Sequence, residues 1–190
     1  NLAGVQIHWP RPVVFDQGGF RSIGYLGELV LPVELTPQRA GRPIALAVDL
    51  NIGICDDICV PVDLSLSAAL RGAGEPDAQI ARSLATAAQP ARGAGLSAAR
   101  CGIEPGTRGM ELTLRATLPR QGTAEQMVME LPGTGYWLSD GRSWREGGEL
   151  VGRTRVPAPG GAAVAIDRGE VAFTILSAEA MLVHRGCTGD

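Results

Sequence analysis

Residues 43–70 alternate apolar and polar side chains in two separate runs, and no other feature of the chain restricts its fold so strongly. Ile44, Leu46 and Val48 take one face of the first run, and Ala45, Ala47 and Asp49 take the other. In the second run, residues 60–70, Val62, Leu64 and Leu66 alternate with Asp63, Ser65 and Ser67. A period of two belongs to a strand whose faces differ in polarity, not to a helix with its period of about 3.6. Both runs are therefore predicted strands. Residues 5–9 alternate more weakly, and the apolar run 28–35 reads as a strand carrying Pro32.

The chain has 190 residues, room for one large or two small domains. Hydrophobic residues make up 45%, enough to build a core rather than a disordered chain. The 26 glycines and 13 prolines suit a loop-rich β fold better than a helical one. A net charge of −3 offers no overall basic surface of the kind that binds nucleic acid or anionic lipid. All 17 basic residues are arginine, which reads as coding bias and carries no function. No apolar run approaches the roughly 20 residues of a membrane span. The start at Asn1 carries no signal peptide and reads as the approach to a strand. The expectation is a mature or excised soluble piece of a longer exported protein.

Glu75-Pro76-Asp77 opens a predicted helix over 77–88, with Ile80, Leu84 and Ala87 at helical spacing. Residues 89–95, rich in Pro, Gly and Ala, read as a linker that divides the chain into 1–90 and 91–190. Beyond it the candidate strands are 96–101, 110–117, 125–131, 149–156, 162–166, 171–176 and 180–184. Turn signals such as Pro105-Gly106, Asp140-Gly141, Pro159-Gly160-Gly161 and Arg168-Gly169 separate them. Short strands with regular turns predict an antiparallel sandwich. The expected architecture is all-β: two β-sandwich domains in tandem, with one short helix near the linker.

Four cysteines occur, and four allow three pairings. Cys55 and Cys59 lie in Gly53-Ile54-Cys55-Asp56-Asp57-Ile58-Cys59-Val60-Pro61, between the two alternating strands. The close pair leaves Cys101 and Cys187 as the natural second bridge, flanking the whole second part. Three intervening residues permit a 55/59 bridge if the chain turns back, since the Cα atoms must come within roughly 7 Å. A turn between strands also gives a partner thiolate access, which exchange through a mixed disulfide requires. Asp56 and Asp57 disfavour a thiolate, so reactivity is expected mainly when a partner is docked. A small structural staple reads the spacing equally well. A zinc half-site lacks further ligands, because His8 and His184 are the only histidines and form no ligand pair. The 101/187 bridge is read as structural, closing a long loop at the ends of the second part.

The run from Gly53 to Pro61, preceded by Leu29-Val30-Leu31-Pro32-Val33, resembles the amino-terminal periplasmic domain of the DsbD family of thiol:disulfide interchange proteins. With His8-Trp9-Pro10-Arg11-Pro12 and Gly19-Phe20-Arg21-Ser22-Ile23-Gly24-Tyr25 it is most similar to the ScsB-like branch, linked to suppression of copper sensitivity. The resemblance covers about residues 5–90, and the later part resembles the extra β domain of that branch only loosely. It implies an immunoglobulin-like sandwich carrying a redox pair; the poor ligand set predicts no bound metal, and no cofactor is expected. It also implies a periplasmic location as a soluble domain of an inner-membrane protein, electrons supplied by a membrane-embedded domain of the parent, and thioredoxin-like partners in the periplasm. By position, Cys59 would bond the partner and Cys55 would resolve the mixed disulfide; the better-known branch spaces its cysteines more widely. That branch shields its disulfide with a cap loop bearing an aromatic residue. The corresponding stretch here is Asp16-Gln17-Gly18-Gly19-Phe20, and the aromatic position falls on Gly18. Phe20 is a substitute cap candidate and Tyr25 a second near-site candidate, each with core packing as the competing reading.

Two other functions compete. One is a non-catalytic β-sandwich module that holds a partner protein and has only structural disulfides. The other is copper binding or copper tolerance through His8 and His184, a poor ligand set. Trp137, Trp144 and Tyr136 read as sandwich core, with a docking surface as the alternative.

Overall fold

A computed structural model of the chain describes residues 1–56, 58–107, 109–139, 141–158 and 164–190, apart from the side chain of Phe20. It is built of strands with one short helix, the all-β class expected. Two compact units divide it, Asn1–Ala85 and Thr86–Asp190.

The first unit holds three two-stranded antiparallel ladders. Strand β1 (Leu2–Ile7) pairs with β4 (Val33–Pro37), β2 (Val13–Gln17) with β3 (Phe20–Gly24), and β5 (Ile44–Cys55) with β6 (Cys59–Leu70). The register of β5 on β6 sets Ile44 opposite Leu70, Val48 opposite Leu66, and Ile52 opposite Val62, so one face is apolar from base to tip. The other face is polar and cross-linked: Ser65 donates to Asp49 and Asn51 to Asp63, each at 2.7 Å. The strand expected over 28–35 begins only at Val33. Pro32 has no N–H to give a ladder, and its carbonyl instead accepts from the His8 N–H at 2.9 Å. Hairpin β2–β3 was not read from the sequence. Its two turn residues, Gly18 and Gly19, have φ of 59° and 82°, the pair of positive values a tight two-residue hairpin turn requires.

Helix α1 spans Ala78–Leu84, and the Asp77 carboxylate caps it by accepting from the N–H groups of Gln79 (2.7 Å) and Ile80 (3.1 Å). It stops short of the expected 77–88 because Gln89–Pro90 is itself a strand, β7, paired in parallel with residues 182–183. The expected linker thus belongs to the second unit. A 3-10 turn follows at Ala91–Ala94, and Ala91 is fully buried.

The second unit is a two-layer sandwich. One sheet orders β10 (Gln126–Glu130), β13 (Ala172–Leu176), β14 (Met181–Arg185) and β7. The other orders β11 (Arg142–Glu146), β12 (Glu149–Pro157), β9 (Gly109–Thr117), β8 (Ala98–Gly106) and β15 (Thr188–Gly189). Alternation in β9 sends Leu112, Leu114 and Ala116 inward, where they meet Met127 and Met129 of β10, Leu150 and Val156 of β12, and Phe173 and Ile175 of β13. The layers approach so closely at Gly152 that a Cβ there would lie 2.6 Å from Met127 Sδ. Glu125 is buried at the rim and takes two hydrogen bonds from Arg145, at 2.6 and 2.7 Å. Burial alone would raise its carboxyl, but the Arg145 hydrogen bonds, the Gln121 backbone N–H and the arginine charges outweigh that and hold it below the ordinary range.

Strand β11, Arg-Ser-Trp-Arg-Glu, shows no apolar alternation and was not expected; it sits at a sheet edge and is held by pairing with β12. Residues 162–163 of the expected 162–166 strand lie outside the described residues, while 164–166 form no strand and pack Val164 and Ile166 partly against the core. The aromatic cluster is corrected too. Only Tyr136 packs against the core, Trp137 is 72% exposed in an irregular segment, and Trp144 lies on the outer face of β11.

Candidate functional site

Cys55 ends β5 and Cys59 begins β6, and the register sets them directly opposite each other. They are joined as a disulfide with their Cα atoms 4.0 Å apart. Continuous pairing up to the last residue of β5 creates this: the hairpin closes as a ladder, and its final cross-strand pair is the cysteine pair. Across the turn the Asp56 N–H donates to the Ile58 carbonyl at 3.1 Å. Both cysteines are exposed.

The neighbours of the disulfide are of two kinds. On its own face the next pair is Gly53 opposite Pro61. A Cβ at Gly53 would lie 3.9 Å from Cys55 Sγ, so glycine leaves that flank of the sulfur bare. On the turn and the opposite face stand Ile54, Ile58 and Val60, exposed by 58%, 73% and 49%. The exposed disulfide thus ends a polar strand face, and exposed apolar side chains stand on the turn and on the opposite face of the same hairpin tip.

The stretch aligned with a cap forms the turn of hairpin β2–β3. Its one described tie to the redox turn is made by Gln17, whose side-chain amide donates to the Asp56 carbonyl. Sequence reading passed over Gln17; the Gly18-Gly19 pair is the signal that would have marked a hairpin tip beside it. Phe20 pairs with Gln17 through the backbone, and its side chain lies outside the described part. Tyr25 lines a hollow of about 370 Å³ with Pro10, Leu29, Val30, Arg82 and Ser83. Its hydroxyl donates to the Pro10 carbonyl at 2.8 Å, and partial burial pushes its pKa up.

Cys101 and Cys187 form the second disulfide, spanning 86 residues with Cα atoms 5.8 Å apart. Cys101 on β8 is fully buried, and Cys187 is half-buried against the core just before β15. His8 lies 2.9 Å from a Glu34 carboxylate oxygen. His184 packs on Phe173, with ring centroids 5.4 Å apart, and burial together with the Arg92 charge pushes its pKa down. Among the described residues no three His, Cys, Asp or Glu side chains are grouped to hold a metal ion. No helix among them is long and apolar enough to cross a membrane.

No curated protein sequence matches the chain. The crystal structure of the N-terminal periplasmic domain of ScsB from Proteus mirabilis is similar over 100% of this chain and 75% of that one, with a TM-score of 0.68. At 21% sequence identity that likeness speaks for the fold. The segment that holds β1 to β6 and both hairpin-tip cysteines, residues 1–70, matches the model of the family "Thiol:disulfide interchange protein DsbD, N-terminal".

Proposed function

We propose that the first unit, Asn1–Ala85, is a redox domain whose Cys55/Cys59 pair is the centre of a periplasmic thiol–disulfide exchange module, followed by a second β-sandwich domain, Thr86–Asp190. One observation carries the reading: the pair is the exposed terminal rung of a hairpin, bare on the Gly53 side, at a tip that also exposes Ile54, Ile58 and Val60. A staple would not need that exposure.

In the reducing direction the Cys59 thiolate attacks one sulfur of a partner's disulfide, forming the mixed disulfide and expelling the partner's other sulfur as a thiolate. The Cys55 thiolate then attacks Cys59 Sγ. This closes the Cys55–Cys59 disulfide and releases the partner's second thiolate. Two electrons leave the hairpin and two protons complete the partner's thiols. In the disulfide form the two Cα atoms are 4.0 Å apart on paired strands, so the resolving sulfur is carried on the rung next to its target. Electrons return from a membrane-embedded domain of the parent protein, and the partners are thioredoxin-fold proteins. A partner docked on the Gly53 flank would withdraw the reacting sulfurs from water.

The test is trapping. Reduced C55A protein should accumulate a mixed disulfide with an oxidised thioredoxin-fold partner, and C59A should not. Reduction of that partner by the double variant C55A/C59A at the native rate would overturn the reading. A 55/59 couple far below about −300 mV would overturn it as well, because such a bridge is a structural staple.

A further inference from the structure

The outer face of the five-stranded sheet divides into two halves with different charge balance. In one, Arg100 meets Glu149 at 2.5 Å, and Arg115 meets Glu146 at 2.6 Å and Glu149 at 3.4 Å, so both arginines are neutralised. In the other, Arg142, Arg153 and Arg155 form no ion pair among the described residues. Arg153 stands directly across the ladder from Arg142, and Arg155 lies two residues along the same strand. They border a groove of about 430 Å³ that Trp144 also lines, and among the described residues its acidic lining residue is Glu111. The Arg153 guanidinium lies 5.7 Å from the Trp144 ring centroid and donates to Thr113 Oγ1 at 3.2 Å.

Three adjacent guanidiniums repel one another, and this chain has 20 acidic against 17 basic residues with which to neutralise them. The sheet places acids beside Arg100 and Arg115; Glu111 stands opposite Arg155 without an ion pair, and Glu146, paired with Arg115, also accepts from Trp144 Nε1 at 2.7 Å and feels the Arg153 charge at longer range. The backbone beneath is fixed: Ser139 N–H donates to the Arg155 carbonyl (2.9 Å), Arg155 N–H to Ser139 Oγ (3.0 Å), and Thr154 Oγ1 to the Ser139 carbonyl (2.6 Å). What is left to bind is the guanidiniums and the indole face. Arg153 and Arg155 repeat at the two-residue rise of a strand, about 6.6 Å. Carboxylates two residues apart on an extended peptide repeat at that same interval, whereas one small oxyanion spans a single guanidinium or a close pair.

We propose that this groove is a binding site for an extended acidic peptide segment of a partner protein, its alternate carboxylates on Arg153 and Arg155 and the Arg142 guanidinium closing the third side. The site goes beyond the redox reading and does not depend on it, being built wholly within the second unit.

The test is titration of the full chain with the acetylated, amidated hexapeptide Thr-Glu-Thr-Glu-Thr-Glu, read by calorimetry and by Trp144 fluorescence at low salt. The same peptide with Gln for Glu, and inorganic phosphate, are the comparison ligands. The acidic peptide should bind at least about tenfold more tightly than either, and added salt should weaken it, as for exposed charge contacts. The triple variant R142Q/R153Q/R155Q should lose about tenfold while its circular dichroism stays native, and C55A/C59A should bind as the native chain does. No binding, phosphate binding as tight as the peptide, or an unchanged triple variant would each overturn the proposal.

Discussion

Both units of this chain alternate apolar and polar residues and both hold one disulfide, yet they put these to opposite uses. In the second unit the apolar faces of β9 and β12 meet β10 and β13, and apart from Pro10 and Pro32 every buried aliphatic, aromatic or cysteine side chain among the described residues lies between Ala91 and Leu182. In the first unit β5 and β6 alternate just as regularly, but their apolar face stays partly open. Of the exposed large hydrophobic residues, all except Trp137 and Val183 belong to that unit. The disulfides follow the same division. Cys101–Cys187 is a buried clamp across a long loop, and Cys55–Cys59 is an exposed rung across a tight one. A two-residue period decides that a segment is a strand; the presence of a second layer decides whether its apolar side is a core or a surface.

The sharpest way to break the comparison is to remove each disulfide in turn. By loop-closure entropy, C101A/C187A should cost the second unit about 4.6 kcal/mol and C55A/C59A about 2 kcal/mol, measured as denaturant unfolding free energy. Graded reduction with thiol labelling should open 55/59 first. Equal costs, or simultaneous opening, would erase the distinction. The core should separate the units next. F173A should cost about 4 kcal/mol, and L66A, at a site 57% exposed, less than about 1 kcal/mol.

Acid should act on the second unit through Glu125, whose side chain is 3% exposed beside Arg145. Its folded pKa is lowered, so its contribution is complete above the unfolded value of about 4.3 and is lost as pH falls through the lower folded value. E125Q should cost about 3 kcal/mol at neutral pH, and melting points from pH 3 to 7 should then flatten at the acid end. The smallest effect belongs to Gln17. Q17A removes the side-chain bond to the Asp56 carbonyl and should speed reduction of 55/59 by a few-fold with stability almost unchanged, since an exposed hydrogen bond is worth about 0.5–1.5 kcal/mol. An unchanged rate would remove Gln17 from the site.

Much of this was legible in the sequence. The long strands β5, β6, β9 and β12 alternate strongly enough to be placed within a few residues, and Glu75-Pro76-Asp77 announced the start of the helix. The close cysteine pair was visible as such. The elements that escaped carry little local signal. Strand β11 is mostly polar, β7 and β15 have two residues each, and β2–β3 is announced only by Gly18-Gly19. Such strands exist because a neighbour offers a ladder, and a neighbour is not written locally.

By itself the sequence determined that the chain is β, where its longest strands run, that two cysteines stand one turn apart, and that two others bracket the second half. Side-chain period and spacing are properties of neighbours along the chain, so they survive without a fold. Only the tertiary structure decided that the 55/59 pair is an open terminal rung, that Gln17 reaches its turn, and that Arg142, Arg153 and Arg155 share one face while Trp137 leaves the core. Those facts depend on register and on which layer covers which, and both are settled by contacts between residues far apart in sequence.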